Sequence, residues 1–245
     1  MSWIAETAAA LTRIYVLFVE LDYVRASDLR MAPHSAQELD VDRCRHLGLS
    51  EAAIVFLKQI PWAAAGSGDL IKNSEMIDFS EAYSLAAAQR PTITGNSVLV
   101  EHGARTRLDP SMLSLTFCGD QGHALVVDTV RGSIRKWDGT GDVMASQEYP
   151  ARSFLDDIYA SYLSLAEIPY ELEILQPTID PVYSVPAADG SPRWVVNTKY
   201  VLVKAAATEH GWPHNFSKAD FKRKAARYLY VMEGDDDDHG SLDEQ

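Results

Sequence analysis

The segment spanning residues 113–165 constrains the fold most strongly, because strand-like and helix-like patterns follow one another there at short spacing. Residues 113–117 alternate apolar and polar side chains, which is typical of a half-buried strand. Residues 124–128 form a Val-rich run, and residues 133–137 carry Ile and Trp among polar neighbours. The turn at residues 129–132 ends in glycine. We therefore predict two or three consecutive antiparallel strands joined by short turns.

A helix signal follows the last of these strands. Ser153 and Asp156 have the spacing of a capping pair, in which a hydroxyl and a carboxylate satisfy unpaired backbone N–H groups. Apolar residues then recur at helical spacing: Leu155, Ile158, Tyr159, Tyr162 and Ala166. Such a stripe is typical of a helix that packs on a core. We predict that this helix and the preceding strands form the folding core.

Other segments also have helical periodicity. A broad apolar face runs from Ser2 to Leu21, and Asp40 or Asp42 is a candidate cap for a short helix that continues through His46. A third helix is expected from Ser50 to the residue before Pro61, since proline cannot continue a helix. Two more helices are predicted at residues 194–210 and 217–232.

These patterns predict an α+β fold, with a single antiparallel sheet flanked by helices and a C-terminal helical extension. Residues 97–101 add a short predicted strand, and residues 1–175 form the α+β domain. Residues 176–232 contain a Pro-rich excursion and C-terminal helices that are expected to pack on the domain. Residues 233–245 hold seven acidic residues and no Lys or Arg, which predicts a disordered tail.

Composition narrows the class of protein. The net charge of −13 disfavours nucleic acid as a partner, because binding to phosphates needs clustered Lys and Arg. No apolar stretch approaches the roughly 18 residues that read as a membrane span. The N-terminal segment carries Glu6 and lacks a basic region, so no secretory signal is expected. Cys44 and Cys118 have no metal or redox spacing, which predicts reduced thiols in a cytoplasmic protein, with a single disulfide between them as the alternative. No cofactor is expected.

The most enzyme-like cluster lies at residues 118–123. Cys118, Asp120 and His123 are candidates for a nucleophile, an orienting carboxylate and a base. The competing interpretation is a tight connection between strands, in which Gly119 and Gly122 supply turn dihedrals. We favour the turn, because catalytic Cys and His are usually brought together by the fold rather than by neighbouring positions.

Two further sets of residues are candidates for a site. His210 and His214 are spaced as in some zinc sites, but no third ligand lies nearby in sequence, so no metal site is expected. Aromatic residues are more promising as anchors for a protein partner, since Trp and Tyr are enriched at interfaces. The candidate binding residues are Trp62, Tyr83 and Tyr149.

The central stretch resembles the fungal cell-wall-assembly regulator family, the SMI/KNR-like domain of the SUKH superfamily. The resemblance is carried by residues 115–122 (LTFCGDQG), 124–128 (ALVVD), 132–137 (GSIRKW) and 153–158 (SFLDDI). Residues 49–57 stand where the family has an early helix. The family's usual Asn-Gly after that helix is absent.

This resemblance implies an α+β fold with one antiparallel sheet and a non-catalytic role in protein interaction. Members of the family include regulators of cell-wall synthesis and signalling and, in bacteria, toxin-neutralising immunity proteins. No catalytic residues carry over. We therefore expect a protein-interaction module or regulatory adaptor with a protein partner. The alternative is a small enzyme that uses Cys118 or His123, and a binder of small molecules cannot be separated from the adaptor by sequence.

Overall fold

A four-stranded antiparallel sheet lies at the centre of the segment that constrains the fold most. The computed structural model describes residues 2–91, 107–179 and 195–231. The sheet has the order β5-β6-β7-β8, with strands at Met112–Ser114, Ala124–Asp128, Ser133–Trp137 and Gln147–Pro150. The predicted strands at residues 124–128 and 133–137 are confirmed. Strand β8 has little alternation of its own and ends in proline, which an edge strand tolerates.

The α+β class is confirmed, but the expectation of a single sheet is wrong in detail. Eight further strands are short, at Leu29–Arg30 (β1), Trp62–Ala63 (β2), Asp69–Ile71 (β3), Ser74–Glu75 (β4), Ile168–Tyr170 (β9), Glu173–Leu175 (β10), Thr178–Ile179 (β11) and Val195–Val196 (β12). They form separate two-stranded pairs within the described residues. Segments of two or three residues carry too little alternation to be found from sequence.

The described residues contain seven α-helices: Trp3–Glu20 (α1), Val41–His46 (α2), Glu51–Gln59 (α3), Ala82–Ala88 (α4), Ala151–Leu163 (α5), Thr198–Glu209 (α6) and Lys218–Val231 (α7). The first three were predicted, and side chains cap each of them. Ser2, Asp40 and Ser50 accept hydrogen bonds from backbone N–H groups three residues ahead, at 3.4, 2.9 and 3.2 Å.

Helix α5 begins earlier than the predicted capping pair. It starts at Ala151, directly after Pro150, so Ser153 lies within the first turn and caps nothing. The prediction of the start was wrong because Asp156 has another role: its Oδ2 accepts a hydrogen bond from Arg152 Nε at 2.6 Å, and its Oδ1 pairs with Arg13 of α1. Most of the predicted stripe is present, since Leu155, Ile158 and Tyr162 are buried, but Ala166 is exposed and lies beyond the end of the helix. Helix α5 packs against α1.

The chain divides into two units, Met1–Ser164 with Pro169–Ile174, and Leu165–Ile168 with Leu175–Gln245. In the second unit, α6 is capped by Asn197 and α7 begins after Ser217. The rings of Phe216 and Phe221 lie 5.2 Å apart, as expected for a hydrophobic staple. Helix α6 starts later than predicted.

Three predicted features fall outside the described residues: the strand at residues 97–101, most of the Pro-rich excursion, and the acidic tail at residues 233–245. Among the helices that are described, none has the length and apolar character needed to cross a bilayer.

Candidate functional site

The turn at residues 118–123 is locked against a neighbouring hairpin. The carbonyl oxygen of Asn73, between β3 and β4, accepts a hydrogen bond from Gly119 N at 3.0 Å. Ser74 Oγ accepts one from His123 N at 2.9 Å. A Cβ at Gly119 or Gly122 would stand 2.5 or 1.7 Å from that carbonyl oxygen. The two glycines are thus required for close backbone approach, while the positive φ of this turn belongs to Gln121, at 57°.

The three residues of the enzyme-like cluster point to different surroundings. Cys118 is 0 % exposed, donates to Gly122 O at 3.5 Å, and belongs to an apolar cluster with Leu108, Met112, Ala124, Val126, Trp137 and Val143. Burial raises the pKa of its thiol, so the reactive thiolate is disfavoured. Asp120 is exposed on the turn.

His123 lies on the other face of the sheet. Side chains alternate along a strand, and cross-strand partners share a face. Ala124 pairs with Trp137 on the face that carries Cys118, whereas His123 precedes Ala124 and lines a cleft with Lys136. The fold therefore places the thiol and the imidazole on opposite sides of the sheet and does not assemble them as nucleophile and base.

The three aromatic candidates lie in different environments. Trp62 is 0 % exposed and stacks on His34, with ring centroids 3.4 Å apart. It belongs to the core and offers no surface to a partner, which corrects its choice as a candidate binding residue. Tyr83 on α4 is 81 % exposed. Tyr149 on β8 is half-buried, packs its ring 5.1 Å from Phe154, and lines the same cleft as His123.

A groove that sequence reasoning missed lies on the face that carries Cys118. We call it the sheet groove; it has a volume of about 480 Å³. Its apolar side chains are Leu108, Met112, Val130, Val143 and Met144, and its polar and charged ones are Arg107, Asp109, Ser111, Asp128, Arg131 and Asp142. Val130 and Met144 are 73 % and 47 % exposed, whereas Met112 and Val143 are buried. An apolar floor with exposed apolar walls and a charged rim therefore runs across this face.

Arg135 holds one wall of the sheet groove. This side chain is almost fully buried on β7, and its Nη1 donates to the carbonyl oxygens of Met144 and Ser146 at 3.1 and 3.0 Å. Its Nη2 pairs with Glu148, which also accepts a hydrogen bond from Ser133 Oγ. These hydrogen bonds from a β7 side chain hold the β7–β8 connection against this face of the sheet.

Hydrogen bonds within the same connection fix its shape. Trp137 Nε1 donates to Thr140 O at 2.9 Å, and Asp138 Oδ1 accepts from the backbone N and Oγ1 of Thr140 at 2.9 and 2.8 Å. Asp142 Oδ1 accepts from Met144 N at 2.9 Å. Ordered surface of this kind loses little conformational entropy when a partner binds.

The opposite wall is the β6–β7 turn that carries Val130. Asp128 Oδ1 accepts hydrogen bonds from Val130 N at 2.9 Å and from Arg131 N at 3.1 Å. The Arg131 side chain pairs with Asp128 and Glu148 at 3.7 and 3.5 Å. The hydrogen bond from Ser133 is the main cause that lowers the pKa of Glu148, which keeps this carboxylate ionised beside the two arginines. Both walls therefore present apolar side chains on ordered backbone.

The signal for the sheet groove is weak in the sequence, because Val130 and Met144 are isolated apolar residues in polar connections. Only the return of the β7–β8 connection over the sheet brings them to one groove.

Among residues 2–91, 107–179 and 195–231, no group of His, Cys, Asp and Glu is arranged to hold a metal ion. Comparison of the chain with protein-family models, with curated proteins and with solved structures finds no match.

Proposed function

We propose that this chain is a non-catalytic protein-interaction module whose partner binds in the sheet groove. The observation that carries the proposal is that the exposed side chains of Val130 and Met144, on two hydrogen-bonded connections, line one groove together with buried apolar residues of the cluster around Cys118. Single exposed apolar residues are ordinary on protein surfaces. Two of them that flank one apolar groove with a charged rim have the arrangement of an interface, with an apolar centre and a polar edge.

The resemblance to the SMI/KNR-like family supports the same proposal. The strands that the motifs predict at residues 124–128 and 133–137 form the middle of the sheet on which the groove lies. We propose a regulatory adaptor of that type, cytoplasmic and with a role in cell-wall or signalling regulation. The alternative, a small enzyme using Cys118 or His123, draws no support from a buried thiol with a raised pKa on the far side of the sheet from the imidazole.

In vivo photo-crosslinking tests the proposal. A photo-crosslinking amino acid would replace Val130 or Met144 in the protein expressed in its native cell. The matched control position is Leu172, which is also an isolated apolar side chain and is 66 % exposed, close to the 73 % of Val130. We expect discrete protein adducts of the same mass from both groove positions and none from position 172. Adducts from position 172 alone, or none from the groove, would contradict a protein partner at this surface.

A further inference from the structure

A second cleft lies on the opposite face of the sheet from the sheet groove. We call it the polar cleft; its volume is about 450 Å³. That volume is within the range of small-molecule sites, which is about 300–1,000 Å³. Its lining residues are His123, Lys136, Asp138, Thr140, Gly141, Asp142, Ala145, Ser146, Gln147 and Tyr149. Unlike the sheet groove, this cleft has no apolar floor, so its contacts with an occupant would be polar.

Strand register explains why these side chains meet. Lys136 on β7 pairs with Gln147 on β8, and cross-strand partners share a face. Tyr149 lies two residues beyond Gln147 and therefore on the same face. His123 precedes β6 by one residue, next to Ala124, so it alternates onto this face as well. The β7–β8 connection that forms a wall of the sheet groove also closes one end of the polar cleft.

Several polar groups in the cleft are unused by the fold. Within the described residues, the Lys136 ammonium has no ion pair, and neither the Tyr149 hydroxyl nor the His123 ring has a hydrogen-bond partner. Burial lowers the pKa of His123, so its imidazole is neutral near pH 7 and offers one donor and one acceptor. Three hydrogen-bonding groups, on β7, on β8 and directly before β6, thus line one cleft without hydrogen-bond partners among the described residues.

The cleft also holds opposite charges that do not pair with each other. Hydrogen bonds from the backbone N and hydroxyl of Thr140 lower the pKa of Asp138, which keeps it ionised. No ion pair within 4.0 Å joins Asp138 or Asp142 to Lys136 or to any other described residue. A ligand that carries one negative and one positive group would meet an opposite charge with each of them, whereas a simple anion or cation would also meet a like charge.

We propose that the polar cleft binds a small zwitterion of the free amino-acid type, with its carboxylate on Lys136 and its ammonium on Asp138. His123 and Tyr149 donate and accept hydrogen bonds to the polar side chain of the ligand. This site is separate from the sheet groove, so it adds a small-molecule ligand to the proposed adaptor. The shared β7–β8 connection gives the ligand direct contact with the element that shapes the protein-binding surface.

Isothermal titration of the full-length chain with the standard L-amino acids, each at millimolar concentration, tests the proposal. For any amino acid that binds, two derivatives separate the roles of the charges: the N-acetyl form lacks the ammonium, and the carboxamide lacks the carboxylate. We expect each derivative to bind roughly tenfold or more weakly than the parent, since hydrogen bonds to charged groups are the strong ones. If no amino acid binds, or if both derivatives bind as well as the parent, the proposal is overturned.

Paired variants assign the two ends of the cleft. Lys136→Met should weaken binding of the parent amino acid without weakening its carboxamide further, and Asp138→Asn should do the same with respect to the N-acetyl form. The matched control for Lys136 is Lys58→Met, since Lys58 is also half-exposed and lies outside the cleft. The matched control for Asp138 is Asp109→Asn. The Asp109 carboxylate accepts hydrogen bonds from Ser111 in the way that Asp138 accepts them from Thr140, and it also lies outside the cleft. Equal loss in a control and its test variant would contradict the assignment.

Discussion

The carbonyl oxygen of Asn73 fills the space that a side chain at Gly122 would need, because a Cβ at Gly122 would stand 1.7 Å from that oxygen. The contact joins the β3–β4 hairpin to the turn before β6. Close packing of this turn therefore accounts for the two glycines near Cys118 and His123, and no catalytic role is needed to explain them. The same turn ends at His123, whose backbone N donates a hydrogen bond to Ser74 Oγ. The hairpin therefore also fixes the position at which the chain enters β6.

Gly122→Ala should therefore destabilise the protein by about 3 kcal/mol, since the obstructing atom belongs to backbone and cannot rotate away. Urea unfolding measures this free energy. Gly141→Ala is the control: nothing lies within 4 Å of its Cβ, and its positive φ alone costs about 1 kcal/mol. Equal losses in the two variants would show that the contact with Asn73 is unimportant.

Arg135→Met should lower the free energy of unfolding by about 3 kcal/mol, because it leaves Glu148 and two carbonyl oxygens of the β7–β8 connection without their buried donor. Amide hydrogen exchange at residues 143–146 should accelerate in the same variant. Arg131→Met is matched, since Arg131 also pairs with Glu148, but its side chain is 58 % exposed and should contribute at most about 1 kcal/mol. The role assigned to Arg135 fails if both variants behave alike.

Asp69 should make stability depend on pH in the opposite sense from ordinary carboxylates. Burial is the main cause that raises its pKa to about 6, above its usual value of 3.8. Its contribution to stability is therefore fully present below the usual value and is lost as the pH rises through about 6. Asp69→Asn keeps an acceptor for Asn73 N and removes this titration. The variant should gain stability relative to the wild type between about pH 4 and about pH 7.

Thermal unfolding across that range measures the difference between wild type and variant. Asp109→Asn is the control: hydrogen bonds from Ser111 lower the pKa of Asp109 from its usual value of 3.8, so the difference for this variant should stay constant between about pH 4 and about pH 7. Its contribution is present above the usual pKa and lost as the pH falls through the lowered one. A difference for Asp69→Asn that does not change with pH would contradict the raised pKa.

Neither cysteine should react with a thiol reagent in the folded protein. Cys118 and Cys44 are both 0 % exposed, and burial raises the pKa of both thiols, for Cys44 to about 11. Labelling near neutral pH should follow unfolding, at the same rate for the single variants Cys44→Ser and Cys118→Ser. Rapid modification of Cys118 in native buffer would revive the interpretation of this residue as a nucleophile.

Local rules predicted the parts of the fold that local interactions decide. The apolar face from Ser2 to Leu21 located the first helix, and candidate caps at positions 40 and 50 located the next two, because a side chain and a backbone N–H three residues ahead are enough to define a start. Strands β6 and β7 were predicted because each has five residues and a turn with glycine between them. The helix start predicted at Ser153 was wrong because a local rule takes no account of distant residues. The apparent partner of Ser153, Asp156, pairs instead with Arg13, which is far away in the chain.

The candidate site depends on long-range contacts, so sequence could not reveal it. Trp62 looks like an interface anchor beside small, flexible residues, yet it packs on His34 from another part of the chain. Val130 and Met144 acquire a common groove only when Arg135 draws the β7–β8 connection over the sheet. His123 and Tyr149 were chosen for different reasons and meet through strand register, which no short motif encodes.

Crosslinking at position 144 combined with substitution of Val130 tests the sheet groove most directly. With the photo-crosslinking amino acid in place of Met144, Val130→Asp should reduce the yield of the protein adduct at least about tenfold, because a charge would be buried at the centre of the interface. Leu172→Asp, a matched change at an exposed apolar residue outside the groove, should leave the yield unchanged. An adduct whose yield is the same in both variants would contradict binding in the sheet groove.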